Sequence, residues 1–325
     1  MKILYGVQGT GNGHISRARK MAECLKQRNV QAEFIFSGRD PDQYFDMEIF
    51  GQYRTYQGLT FASKNGRLSY TKTALSNNIF KFAKDVMSIN IAEYDLILTD
   101  FEPISAWAGK LRNKKVIGLG HQYAFDYPIP RAGDNFISNI TMKLFAPVTI
   151  ALGLHWDAFD SPILPPIIDT TLKYRDDCSD ADGSSPVVVY LPFENQQEIQ
   201  NALLGIEKQH FIIYSPELID EENGNLSLRK TSHDGFKRDL CRARGVICNS
   251  GFELISECLH LGLSILTKPQ YAQTEQMSNA AALAQLDYAH VAMKIDNSTV
   301  TSWLDSLESG TRTIRFPDVA DTISD

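Results

Sequence analysis

A chain of 325 residues, 43% of them apolar and 22% charged, is long enough for two α/β domains with separate cores and has the composition of an ordinary globular protein. Its net charge of -7 gives no electrostatic reason to expect nucleic acid as a partner. The five cysteines (Cys24, Cys178, Cys241, Cys248, Cys258) are odd in number, scattered and free of a C-x-x-C pair, which argues against a disulfide framework or zinc site and for reduced thiols in the cytoplasm.

Lys2 to Val7 is an apolar strand, too short for a secretory apolar region, and Gln8-Gly9-Thr10-Gly11-Asn12-Gly13-His14 follows at once. Ile15, Ala18, Met21, Ala22 and Leu25 then recur at a helical period, which places Arg17, Arg19 and Lys20 on the solvent side. A glycine turn running into a helix N-terminus can seat an anion or other ligand. It is a poor dinucleotide fingerprint, because the second strand ends in Ser37-Gly38-Arg39 with no acid for a ribose. His14 falls at the first helical turn, where the positive end of the helix dipole favours a neutral ring able to take a proton. Such a histidine could equally be a simple helix cap.

Tyr94 to Asp100 reads as a strand, with Phe101-Glu102-Pro103 leading into a helix, and Lys115 to Leu119 as the next strand, ending at Gly120-His121-Gln122. Ligands of open parallel sheets bind beyond the carboxyl ends of the strands, so His14, Asp100 and His121 are expected to face one crevice. The alternatives are that Asp100 is a helix N-cap and His121 a core histidine with a backbone partner. Tyr53, Tyr56, Phe61, Tyr70, Tyr123, Phe125 and Tyr127 could wall an acceptor site or simply pack the core. Residues 63–73 suggest a flap, and Phe136 to Leu154 a buried helix and strand instead of a membrane span.

The proline-rich stretch Asp160 to Ile167 marks a boundary near residue 168. Strands alternate with helices on both sides, so the expected fold is α/β, with two doubly wound Rossmann-like domains, 1–168 and 169–325, facing a cleft. Asp40-x-Asp42 and Asp180-x-Asp182 are too short and isolated to predict a metal site. Ser232, His233 and Gly235 precede a helix and are candidates for phosphate or base contacts.

Residues 245–279 are the most informative. Val246 to Cys248 form a strand, Asn249-Ser250-Gly251 a turn, and a helix follows with Phe252 at its start and Ile255, Cys258 and Leu259 at helical spacing up to Gly262. Leu263 to Leu266 is a second strand; after Pro269 another helix opens around Thr274-Glu275-Gln276 and continues through Asn279-Ala280. Glu253 and Glu257 share one helix face. A helix N-terminus with carboxylates one turn inside could hold a nucleotide by phosphate and ribose. Ser250 and Glu253 also have the spacing of a capping box, which would make Glu253 structural.

The segment resembles the donor-sugar motif of GT-B glycosyltransferases, in the group that holds the bacterial peptidoglycan N-acetylglucosaminyltransferase and the UDP-glycosyltransferases. That resemblance rests on the glycine turn, Ser256-Glu257, Pro269, Glu275-Gln276 and Asn279-Ala280, with Ser250-Gly251 where a double glycine is usual and Glu275-Gln276 where Asp-Gln is usual. The Gly13-His14 pair is similar to an acceptor-side feature of the same enzymes. The resemblance implies a metal-independent, inverting transfer from a nucleotide sugar, most simply UDP-linked, to a hydroxyl, the nucleotide sugar being a co-substrate and no cofactor being needed. His14, aided by Asp100, would be the base. Gly13, His121 and Gln122 would face the acceptor. Asn249, Ser250, Gly251, Phe252, Glu253, Glu257, Glu275, Gln276 and Asn279 would form the donor side, Glu257 holding the ribose and Gln276 the sugar. The acceptor would be a glycan, a lipid-linked molecule or a small molecule, met in the cytoplasm or at the inner face of the membrane through peripheral contact, as in cell-envelope glycan synthesis. A nucleotide-sugar 2-epimerase and a non-catalytic nucleotide-sugar-binding protein are the alternatives. Helices that cross back to the first domain are expected to be abbreviated or absent.

Overall fold

The computed structural model describes residues 1–60, 63–64, 67–68, 77–133, 143–174, 185–307 and 313–324. The first sheet is built on β1 (Lys2–Gln8), an apolar strand buried on both faces, which is followed by helix α1 (Asn12–Gln27) and β2 (Gln31–Ser37). β3 (Tyr53–Tyr56) and a two-residue hairpin, β4 (Ser63–Lys64) and β5 (Arg67–Leu68), come next. Helix α2 (Ile79–Ser88), β6 (Leu96–Asp100), α3 (Pro103–Leu111), β7 (Val116–Gly120) and β8 (Ile150–Gly153) complete this half. The strands lie parallel in the order β3-β2-β1-β6-β7-β8. The chain moves outward from β1 to β3 and then returns to the other side of β1, so the order reverses between β1 and β6. A crevice opens beyond the carboxyl ends of the two strands at such a reversal. Here those ends deliver the glycine turn and Asp100.

The second half contains β9 (Val187–Tyr190), α4 (Gln196–Leu204), β10 (Phe211–Tyr214), β11 (Glu221–Asn223), β12 (Leu226–Arg229), α5 (His233–Leu240) and β13 (Gly245–Asn249). It continues with α6 (Phe252–Leu261), β14 (Ser264–Lys268), α7 (Thr274–Leu286), β15 (His290–Val291) and α8 (Asn297–Ser306). Its sheet order is β11-β12-β10-β9-β13-β14-β15, parallel except for the β11–β12 pair, and it reverses between β9 and β13. Gly262 ends α6 with a φ of 74°, a left-handed conformation that glycine adopts without Cβ strain.

The halves are not joined by a free linker. Leu154, Trp156, Ile167 and Ile168 of the connection are buried in one apolar cluster with Ile15 and Met21 of α1 and Phe252 and Ile255 of α6. The expected boundary at residue 168 falls inside this buried connection. The short helix α9 (Val319–Ser324) returns to the first half and packs on α1, where Lys20 pairs with Asp318 and Arg28 with Asp321, both at 2.8 Å. The crossing is therefore abbreviated but present.

The periodicity of α1 predicted Ile15, Ala18, Met21, Ala22 and Leu25 as buried, and they are; Cys24 and Arg17 are buried as well. Arg17, expected on the solvent side, is 2% exposed, because α6 of the second half covers that face of the helix. The suggested flap falls largely outside the described residues. Phe61, Tyr70, Cys178 and the Asp180-x-Asp182 pair lie wholly outside them, as does much of the Phe136 to Leu154 stretch. Among the described residues no helix is long and apolar enough to cross a membrane.

Candidate active site

His14 and Asp100, far apart in sequence, meet at the reversal point of the first sheet. Gly11 is the N-cap of α1 and makes no side-chain cap hydrogen bond, so His14 lies in the open first turn of the helix and is not its cap. Its Nδ1 is 2.6 Å from Asp100 Oδ1. With Asp100 ionised, Nδ1 carries the hydrogen and donates, which leaves Nε2 as the lone-pair nitrogen on a ring that is 17% exposed. Asp100 is fully buried at the end of β6. Burial works to raise its carboxyl, but the Arg17 guanidinium and His14 more than offset this and hold it below the usual carboxylate range.

The capping role that Asp100 might have filled belongs to its neighbour. Phe101 turns the chain with a φ of 54°, and the Glu102 carboxylate then accepts from Ile104 N at 2.8 Å and Ser105 N at 2.7 Å to cap α3. Asp100 is thus free to accept from His14 and Arg17. Arg17 donates through Nε to Oδ2 and through Nη2 to Oδ1, both at 2.7 Å, and through Nη1 to Glu253 of α6. Burial works against the Arg17 charge, but the Asp100 carboxylate outweighs it and the group stays cationic. Glu253 is therefore not half of a capping box. Gly251 is the N-cap of α6, and the Ser250 hydroxyl lies 2.9 Å from the Thr267 hydroxyl.

Beside this network an open cleft of about 700 Å³ runs between α1, α5 and α6. Gly13, Ser16 and Arg19 of α1 face Glu253, Leu254 and Glu257 of α6, and Ser232, His233, Phe236 and Lys237 close the third side. Gly13 permits this approach: a Cβ there would sit 3.1 Å from Glu253 Cγ. Ser232 caps α5 through Gly235 N at 3.2 Å, and His233 N donates to Asp46 of the first half at 3.0 Å. Lys237 reaches across to the Glu257 carboxylate.

With the fold and this geometry in place, comparison with known proteins is decisive. The family model described as glycosyl transferase family 1 matches residues 1–308. The chain belongs to glycosyl transferase family 1. Solved structures with the same fold include the glycotransferase of kitacinnamycin (TM-score 0.66, 12% identity, 99% of this chain and 93% of that one). MurG of Acinetobacter baumannii (TM-score 0.58, 13% identity, 99% and 97%) and the spinosyn rhamnosyltransferase SpnG (TM-score 0.60, 13% identity, 100% and 93%) are others. No curated protein matches the sequence. These likenesses confirm a GT-B fold over the whole chain.

The rest of the expected site in this glycosyltransferase fold divides in two. Asn249 and Gln276 sit near the carboxyl ends of the second sheet. Asn249 Nδ2 donates to Glu194 at 3.2 Å and to Lys268 O at 3.1 Å, and Gln276 Oε1 accepts from Gln270 N at 2.9 Å. Buried atoms Asn249 Oδ1, Gln270 Nε2 and Gln122 Oε1 have no protein hydrogen-bond partner. Gly251 has open space in its Cβ direction.

The second group is buried between the halves. His121 does not face the crevice with His14; it is 1% exposed. Its Nδ1 donates to Leu154 O at 2.8 Å, its Nε2 is 2.6 Å from Asn279 Oδ1, and its ring stacks on Phe252 at 4.2 Å. Burial pushes its basicity down. The core-histidine alternative therefore describes it, with a partner from the other half added. Gln122 Nε2 donates to Glu275 at 3.2 Å, and Asn279 Nδ2 to Ser250 O at 2.9 Å. Sequence reasoning missed Arg17 because a helical period reports only the face turned to a helix's own sheet. It missed Lys237 because nothing local to α5 announces a carboxylate partner on α6.

Proposed function

We propose that this glycosyl transferase family 1 member transfers a sugar from a nucleoside-diphosphate sugar to an acceptor hydroxyl by direct, inverting displacement without a metal ion. His14 Nε2 takes the proton of the acceptor hydroxyl, and the freed oxygen attacks the anomeric carbon as the bond to the diphosphate oxygen breaks. The nucleoside diphosphate leaves, and the proton departs from His14 after transfer. Asp100 accepts from Nδ1 throughout, fixing the tautomer and stabilising the imidazolium. The observation that carries this reading is the 2.6 Å His14–Asp100 contact beside a cleft lined by Glu253 and Glu257.

On the donor side Glu257 takes the ribose, after exchanging Lys237 for it, and Gln276 the sugar. The N-terminus of α6 at Gly251 stabilises the departing diphosphate. A uridine base is our first choice. One solved form of SpnG is complexed with thymidine diphosphate, which adds dTDP sugars to the test panel. Another is complexed with the spinosyn aglycone, and lipid-linked glycans complete the acceptor classes to try. We place the reaction in the cytoplasm, with the membrane's inner face as the meeting point if the acceptor is lipid-linked.

The test is product analysis with UDP and dTDP sugars, in EDTA, against an acceptor panel and water. The account predicts free nucleoside diphosphate, lost in His14→Ala while nucleotide binding persists. An isomeric nucleotide sugar would mean epimerisation. Binding with neither product, indifferent to His14, would mean a binding protein.

A further inference from the structure

Arg17 ties the dyad to the second half of the molecule: its guanidinium holds Asp100 and Glu253, and its Nη2 lies 3.1 Å from His14 Nδ1. The charges decide what this does. A lone buried carboxylate beside His14 would favour the imidazolium strongly, but Arg17 grips Asp100 through two hydrogen bonds and cancels most of that charge. Glu253 supplies a second negative charge against Arg17 from α6, in the other half of the molecule. With it, the Asp100–Arg17–Glu253 group carries a net charge of about -1 beside the ring; without it, about zero.

We propose that Glu253, acting through Arg17, sets the proton affinity of the His14–Asp100 pair. Arg17 is a positioning residue in this scheme: it reaches Asp100 and His14 Nδ1, not the proton-accepting Nε2, and Glu253 acts through it. Two features support this coupling. Gly13 lets α1 come close to the Glu253 side chain, where a Cβ would sit 3.1 Å from Glu253 Cγ, so Glu253 is within reach of Arg17 one turn along. Both groups are buried, 2% and 7% exposed, where solvent screens their charge weakly. Other groups that bear on Arg17 and the dyad are Tyr5 of β1, Glu275 of α7 and His121 after β7, and none of them is changed in the test below.

The inference rests on His14 acting as the base of the proposed transfer, but its test uses no nucleotide or acceptor, so the two can fail separately. The full chain, labelled with 15N-histidine, is titrated by NMR and the His14 ring followed in wild type, Glu253→Gln, Glu253→Asp and Arg17→Gln. Glu253→Gln should lower the proton affinity of His14 by about threefold or more, Glu253→Asp should leave it within that margin, and Arg17→Gln should raise it. Opposite signs for the two charge removals are the signature, since a merely loosened interface moves both the same way. The idea is overturned if Glu253→Gln titrates as wild type, or if the Gln and Asp variants shift alike. Should Arg17→Gln not fold, the Gln and Asp pair at 253 still decides.

Discussion

At the scale of single residues, the account depends on Asp100 having no other duty. Glu102 caps α3 in its place, and the left-handed backbone at Phe101 separates the two carboxylates so that one serves the helix and the other serves His14. Asp100→Asn keeps the shape but removes the charge and replaces one acceptor oxygen by a donor, so it can no longer accept all three hydrogen bonds that His14 and Arg17 bring to the carboxylate. Turnover should fall on the order of 10²–10⁴-fold with nucleotide affinity retained. Steady-state rates alongside calorimetric Kd values check this, and wild-type turnover would remove Asp100 from the mechanism. His14 and Asp100 were legible in the sequence because each stands at the end of an apolar strand or in the glycine turn after one. Arg17 was not, because its partner Glu253 lies 236 residues away on a helix whose seat no local pattern encodes.

At the scale of elements, helix starts explain which polar residues are structural and which are available. Glu102 holds the first turn of α3 and also accepts from the Ser37 hydroxyl at 2.6 Å. Glu102→Ala should therefore cost about 1–3 kcal/mol of stability in urea denaturation, because it removes a buried cap and leaves the Ser37 hydroxyl only its long contact to Gln8 Oε1 at 3.4 Å. The nucleotide affinity of the folded protein should be unchanged. Helix α6 shows the opposite case. Its N-cap is glycine, its first turn lacks a side-chain cap, and its acids at 253 and 257 turn towards Arg17 and Lys237. The strand–turn–helix pattern of 245–279 could be read almost residue by residue from glycine, proline and apolar spacing. Whether Glu253 capped its own helix or left it for Arg17 depended on a contact across the molecule, which spacing does not contain.

At the scale of the whole molecule, the two halves are welded by aromatic and histidine rings, not by a flexible joint. His155 contacts His121, Trp156 and Phe159, and its Nδ1 accepts from Trp156 N at 2.8 Å. Burial, with His121 nearby, lowers its pKa to about 2. The folded state therefore needs a neutral ring, while the unfolded chain binds a proton below about pH 6.5. This contribution is present in full above that pH and is lost as pH falls through the window from 6.5 towards 2, at up to about 1.4 kcal/mol per pH unit. Urea denaturation between pH 7 and 4.5 should show this slope growing as pH falls, and His155→Asn should flatten it by up to about one proton at the acid end. An unchanged slope would place the acid sensitivity elsewhere. The two α/β halves could be anticipated from composition and strand–helix alternation. The crossing was expected to be abbreviated or absent; that α9 docks on α1, and that the connection is buried, could not be anticipated, since both rest on packing between distant segments.

The most direct measurement of the central claim is calorimetric binding of UDP, dTDP and GDP sugars to wild type and Glu257→Ala. The account predicts selective binding of one nucleotide class, weakened at least about tenfold by the substitution, or about 1.4 kcal/mol. Binding to no member of the panel, or binding indifferent to Glu257, would contradict it and leave the cleft between α1, α5 and α6 without the donor assigned to it.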